Sequence, residues 1–171
     1  RRIKMLNEEI SKVYIDILKE ELVPAMGCTE PVAVAFAGAL ARKTLGKQPE
    51  AVRLTVSGNI IKNVKSVIVP HTGGRRGLHT AVAAGICCGN PDRKLEVISE
   101  ADDEQIGLID KFLDSAEISV AKSDANNSFD IQVAVYEGNN SAYVRIIGNH
   151  TNVVYIKKTM KCCLISLFQM M

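Results

Sequence analysis

Cys28 lies in the run Pro24-Ala25-Met26-Gly27-Cys28-Thr29-Glu30-Pro31, beside the N-terminus of a helix that Pro31 suits in its first turn. Oriented backbone N–H groups at such a place favour a thiolate, the form that both a nucleophile and an iron ligand require. The competing reading of Cys28 is a small buried hydrophobe, a common fate of free cysteine. Val56-Ser57-Gly58-Asn59, followed by Lys62-Asn63, gathers hydroxyl, amide and ammonium groups just after a strand-like stretch. Such groups suit the carboxylate of an amino acid. The alternative is an ordinary turn at Gly58-Asn59 with a solvated Lys62.

The loop His71-Thr72-Gly73-Gly74-Arg75-Arg76-Gly77 leads into another helix, where free N–H groups could meet an anion. It lacks both the Gly-Lys-Ser/Thr ending of a phosphate loop and the Gly-x-Gly-x-x-Gly fingerprint, so nucleotide binding is not expected. A plain helix-entry loop is the other reading. Asn149-His150-Thr151-Asn152 places polar groups between two apolar strands, and His150 is the chain's best-placed residue for acid–base work. A solvent-facing turn would have the same composition. Cys87-Cys88 and Cys162-Cys163 lack the two-residue gap that lets two thiolates share one metal, so no zinc site is expected.

These residues need a scaffold, and 171 residues with 47% hydrophobic and 23% charged content suffice for one domain with its own core. A net charge of +2 and basic runs no longer than pairs give no nucleic-acid footprint. Tryptophan is absent and aromatics make up 5%, which argues against a base- or sugar-stacking surface. Five cysteines, four of them in vicinal pairs, fit reduced thiols better than a disulfide framework. With no signal-peptide hydrophobic region near Arg1, a cytosolic location is expected. The longest apolar stretch, Pro31 to Ala41, falls short of the roughly 20 residues that cross a bilayer, so no membrane partner is expected.

Leu6, Ile10, Val13, Tyr14, Ile17, Leu18 and Leu22 recur at helical spacing, which predicts an amphipathic helix over 6–22, ended by Pro24. A second helix runs to about Lys43 with Gly46 as its stop, and its all-apolar middle predicts burial at the centre of the fold. Further helices are predicted from Leu78 to Cys88 and from Asp102 to Ser115. Strands are predicted at Ala51–Ser57, Val67–Val69, Ile118–Lys122, Ile131–Tyr136, Ala142–Ile147 and Val153–Lys157, with a hairpin turn at Glu137-Gly138-Asn139-Asn140. The order predicts an α+β fold, helices packed on one face of a mainly antiparallel sheet.

Taken in order, these segments resemble the L-cysteine desulfidase family, related to the α chain of iron–sulfur-dependent L-serine dehydratase. Gly27-Cys28-Thr29-Glu30-Pro31 is the specific element. Ser57-x-Asn59 with Lys62-Asn63, Val69-Pro70-x-Thr72-Gly73 with Gly77-Leu78, and His150-Thr151-Asn152-Val153-Val154 support it by their order. The resemblance implies a [4Fe–4S] enzyme that removes a β-substituent from a small L-amino acid, most specifically the sulfur of L-cysteine. In that chemistry cysteines hold the cluster and leave one iron open as a Lewis acid.

Cys28 matches the first cluster cysteine; the family's others fall in a later C-terminal region, and Cys87, Cys88, Cys162 and Cys163 do not match them. This chain alone is therefore expected to be inactive, completed by that region or by a second subunit. His150 and Lys62 are the catalytic candidates. Thr29, Glu30, Ser57, Asn59, Asn63, Thr72, Gly73, Thr151 and Asn152 are the substrate-binding candidates. Residues 1–159 read as the N-terminal part of a serine dehydratase α-like domain, and 160–171 as an unmatched apolar tail of a truncated chain. The alternatives are a non-catalytic amino-acid-binding or regulatory module, and an oligomerisation or docking fragment that forms a homo-oligomer.

Overall fold

The structure, a computed structural model, describes residues 7–22 and 24–160. Two helices of opposite character come first. α1 (Glu8–Glu21) starts at Asn7, whose side chain accepts from the Glu9 N–H, and carries acidic residues in its first turn, where the helix dipole favours them. α2 (Thr29–Leu45) ends at Gly46, whose φ of 83° is cheap only for glycine. The stop signal read from the sequence is thus met.

The remaining elements are β1 (Ala51–Val56), α3 (Gly58–Val64), α4 (Gly77–Cys88), a 3-10 turn (Pro91–Glu96) and α5 (Asp103–Ser115). They are followed by β2 (Glu117–Lys122), β3 (Asp130–Glu137), β4 (Asn140–Ile147) and β5 (Val153–Met160). Asp102 begins α5 with a capping box: its side chain accepts from the Gln105 N–H while the Gln105 side chain accepts from the Asp102 N–H.

The sheet order is β2-β1-β3-β4-β5. β1 and β2 are parallel, so the chain between them must cross over, and it does so through α3, α4 and α5. The other neighbours are antiparallel, and Glu137 and Asn140 face each other across the predicted hairpin turn. Helices cover one face, so the expected α+β architecture is observed.

Val52, Leu54 and Val56 of β1, Ile131, Val133 and Val135 of β3, and Ala142, Val144 and Ile146 of β4 form the sheet's share of the core. α2 lies over β3 and β4, and α4 packs beside it. Small residues make this seam close: a Cβ on Gly85 would stand 1.9 Å from the Ala35 carbonyl oxygen, and one on Gly38 would stand 2.8 Å from that of Val82. Ala35 thus lies against Gly85 and Ala39 against Gly89, so the two helices run side by side in the same direction.

Two sequence expectations are corrected. The turn considered at Gly58-Asn59 is the start of α3, held because Ile60 and Val64, four apart, are both buried. The predicted strand Val67–Val69 reduces to one bridge between Ile68 and Arg76, because the chain immediately folds back through the glycine-rich loop. No described helix is long and apolar enough to cross a membrane. Residues 161–171, most of the predicted apolar tail, lie outside the described residues.

Candidate functional site

The N-terminal turn of α2 is positioned by Gly27. Its φ of 144° is accessible to glycine, and a Cβ there would come within 3.0 Å of the Pro70 ring. The Gly-Cys sequence therefore lets the chain pass close to the loop after Val69. Cys28 follows as the N-cap residue and is exposed.

Glu30, in the first turn, gathers its neighbours. The Cys28 thiol donates to Oε2 at 3.4 Å, the Thr29 hydroxyl to the same oxygen at 3.4 Å, and the Asn63 amide to Oε1 at 3.2 Å. The last contact joins residues 33 apart in sequence and exists because α3 is helical. Burial pushes the Glu30 pKa up, but its own backbone N–H, Cys28, Asn63 and the nearby His150 charge outweigh this and hold it below the usual value. Cys28 goes the other way: partial burial and the hydrogen bond and negative charge of Glu30 raise its pKa. Without a metal, the thiol form is favoured despite the helix start, a reversal of the thiolate expectation that comes first from partial burial and then from the carboxylate two residues on.

His150 reaches this cluster from the β4–β5 turn. The turn is held by the Thr151 N–H on the Asn149 side chain and by the Asn152 amide on the Ile147 carbonyl. The imidazole packs edge-on against Phe129, centroids 4.7 Å apart. Its Nε2 is the one buried side-chain polar atom among the described residues that has no hydrogen-bond partner. Such an orphan is costly and calls for an explanation.

Cys28, Thr29, Glu30, Asn63 and His150 thus come together. The other predicted residues do not join them. Ser57 is buried and its hydroxyl donates to the Ser128 carbonyl at 2.9 Å. Thr72 is buried and donates to the Val69 carbonyl at 2.7 Å, which closes its own loop. Gly73 and Lys62 are exposed, Thr151 is half-buried, and Asn152 serves the turn. Asn59 lines a different cavity, one turn back along α3. The loop 71–77 is braced by Arg75, which donates to the Thr72 carbonyl and pairs with Asp110.

Residues missed in the sequence are Phe129, which holds the imidazole, and a network around Asp130 on the uncovered sheet face. Asp130 is fully buried and accepts from Arg145, Ser123 and Gln132, while Tyr143 donates to Gln132. Burial alone would raise the Asp130 pKa, and these donors outweigh it and lower it. A buried polar residue opening a strand carries no local signal of its partners.

The donor set does not by itself fit a four-iron cluster. Cys87 lies at the end of α4 among Arg42, Gln48 and Leu108, against the C-terminal end of α2, whereas Cys28 stands at the start of α2. Both thiols of the vicinal pair are half-buried, and burial pushes their pKa values up to about 11 for Cys87 and about 12 for Cys88. Among the described residues no group of three His, Cys, Asp or Glu side chains could hold a metal ion. Cys28 is one thiol, and no step below passes through a cluster.

Comparison with known proteins finds a consistent set of relatives. A UPF0597 protein of Desulfitobacterium hafniense is 46% identical over 147 residues, 86% of this chain and 34% of that protein. One from Treponema denticola is 39% identical over 153 residues, 90% of this chain and 36% of that protein, and one from Finegoldia magna is 42% identical over 151 residues, 88% and 36%. No family profile and no solved structure matches. The chain spans about a third of the length of the curated relatives it matches. Over most of its own length, at 39 to 46% identity, the chain is similar to about a third of each of these UPF0597 proteins.

Proposed function

We propose that this chain forms part of a lyase that eliminates the β-substituent of a small L-amino acid, L-cysteine in the first instance, to give pyruvate, ammonia and sulfide. In this reading an iron–sulfur cluster is completed by residues outside those described, with Cys28 as one ligand. The observation that carries it is the approach of a half-buried imidazole, its buried Nε2 without a partner, to a thiol and a carboxylate at the start of one helix.

The roles follow from the chemistry of each group. Glu30, kept ionised, suits a substrate ammonium, and Asn63 orients that carboxylate. His150 is the base: Nε2 takes the Cα proton as the Cα–Cβ double bond forms and the electron pair of the Cβ–S bond leaves with sulfide. The 2-aminoacrylate product tautomerises to an imine, and one water hydrolyses it to pyruvate and ammonia. Phe129 packs edge-on against the imidazole and restrains its orientation. Lys62, exposed, has no part in this step.

The test uses a full-length protein that contains this segment, reconstituted anaerobically with iron and sulfide. It should release sulfide and pyruvate in equal amounts from L-cysteine. Cys28→Ser should lose iron and acid-labile sulfide, and His150→Gln should retain both while kcat falls by about 10²–10⁴-fold. Unchanged turnover in His150→Gln would remove the base assignment, and unchanged iron in Cys28→Ser would remove the ligand.

A second reading, a non-catalytic amino-acid-binding module of the same fold, is favoured by the isolation of Cys28 from the other described thiols. It predicts amino-acid binding by the full-length protein without turnover.

A further inference from the structure

Asn59 and Asn63 lie four apart on α3 and so on one side of it, but they serve different places. Asn63 meets Glu30, whereas Asn59 lines a cavity of about 520 Å³ whose opposite wall is the chain between β2 and β3. That volume is within the range of small-molecule sites. Its walls are mostly polar and include one cation, Lys122, and one anion, Asp124, together with the carboxamides of Asn59, Asn126 and Asn127. The Lys122 stem crosses Gly58, where a Cβ would stand 3.6 Å from the Lys122 Cε.

The loop that carries Asp124 and the two asparagines is pinned at both ends by buried hydroxyls. At one end Ser123 donates to the buried Asp130 carboxylate at 2.9 Å, and the Ala125 N–H donates back to the Ser123 hydroxyl at 3.2 Å. At the other, the buried Ser57 hydroxyl donates to the Ser128 carbonyl at 2.9 Å. Asp130 is itself clamped by Arg145 through two bonds of 3.0 Å. Neither serine is then free to touch a ligand. They hold five loop residues in shape at the edge of a cavity, which lowers the ordering cost of binding there.

We infer that this cavity is the recognition site for a small zwitterionic amino acid with a polar side chain, its carboxylate on Lys122 and its ammonium on Asp124. One charge of each sign beside neutral amides matches an α-amino acid, and polar walls disfavour an apolar side chain such as leucine's. The inference rests on the amino-acid reading of the proposed function and adds where the substrate's charged groups are first held, at a cavity whose Asn59 is one turn along α3 from Asn63. Ser57 becomes a positioning residue for this loop.

The experiment is backbone-amide NMR on the whole 171-residue chain, titrated with L-serine, and separately with propionate and ethylamine, each of which keeps one of the two charges. L-serine should shift amides at 58–59 and 122–128 in a saturable way, and each single-charge analogue should bind at least about tenfold more weakly. Lys122→Met and Asp124→Asn, exposed positions where folding should survive, should each raise the L-serine Kd by about tenfold. Ser57→Ala should weaken binding through a loop whose amides have moved, and Ser57→Thr should restore it. No saturable shift in this region, equal binding of propionate and L-serine, or shifts confined to Glu30 and His150 would each overturn the inference. Turnover is not read, so a full-length protein that releases no sulfide would sink the lyase reading and leave this result standing, and the converse holds too.

Discussion

The chain's first two helices are both predictable as helices, yet their surroundings are opposite. α1 gathers Ile10, Val13, Tyr14, Ile17 and Leu18, and all of them remain about half exposed. α2 separates nothing and is buried without a gap from Pro31 to Ala39. An apolar stripe calls for a cover without naming it, whereas a helix apolar on every side is stable only inside. Small residues then decide how close its neighbour comes.

Breaking the seam of α2 should have the largest effect. Gly85→Leu forces a side chain where even a Cβ would overlap the Ala35 carbonyl, and a loss of about 3 kcal/mol or more is expected. Circular dichroism should show a lost or strongly lowered thermal transition. A Tm within a few degrees of the parent would mean that the helices do not touch there.

Asp130→Ala should come next, at about 2–3 kcal/mol by urea denaturation, at or below the usual cost of breaking a buried pair because Arg145 keeps some contact with water. The same pair sets a pH dependence. The folded carboxyl titrates below its unfolded value of about 3.9, so its contribution is present above that pH and is lost as pH falls through the folded value. Stability measured from pH 5 downward, in steps of about one unit, should therefore fall more steeply in the parent than in Asp130→Ala. Parallel curves would mean that the pair is open in solution.

Cys28→Ser sits on the same helix as the seam but at its exposed start, and should change stability by no more than about 0.5 kcal/mol. This separates the two ends of α2, one for stability and the other for chemistry. A loss above about 1.5 kcal/mol would return Cys28 to the role of a packing residue. The smallest effect belongs to α1: Ile17→Ser should cost only a few tenths of a kcal/mol. If it costs as much as a core substitution, the stripe is covered in solution, and the contrast with α2 disappears.

Much of the scaffold was legible because its signals are local. Gly46 as a stop, Asp102 with Gln105 as a start, and the alternation in β1, β3 and β4 all act within a few residues. α3 was not legible, since Gly58-Asn59 is a turn signal and only Ile60 and Val64 anchor two turns of helix to the core. In the site, Cys28 and Glu30 are two residues apart, so their proximity could be read directly, although the effect of Glu30 on the thiol was not weighed. Thr72 and Ser57 misled because a hydroxyl looks the same in sequence whether it faces a ligand or a carbonyl. Both face carbonyls.

The sequence by itself determined most of where the chain is helical or extended, α3 and the segment Val67–Val69 excepted, which helix is central, and that Cys28 stands at a helix start, because capping, periodicity and side-chain volume are properties of neighbouring residues. Only the tertiary structure decided that Asn63 and His150 converge on Glu30, that Asn59 turns to another cavity, and that Ser123 and Ser57 pin the loop between them. These meetings depend on strand order and on one helical turn of α3, and they join residues far apart in the chain. No short-range preference of any one of them specifies such a pairing.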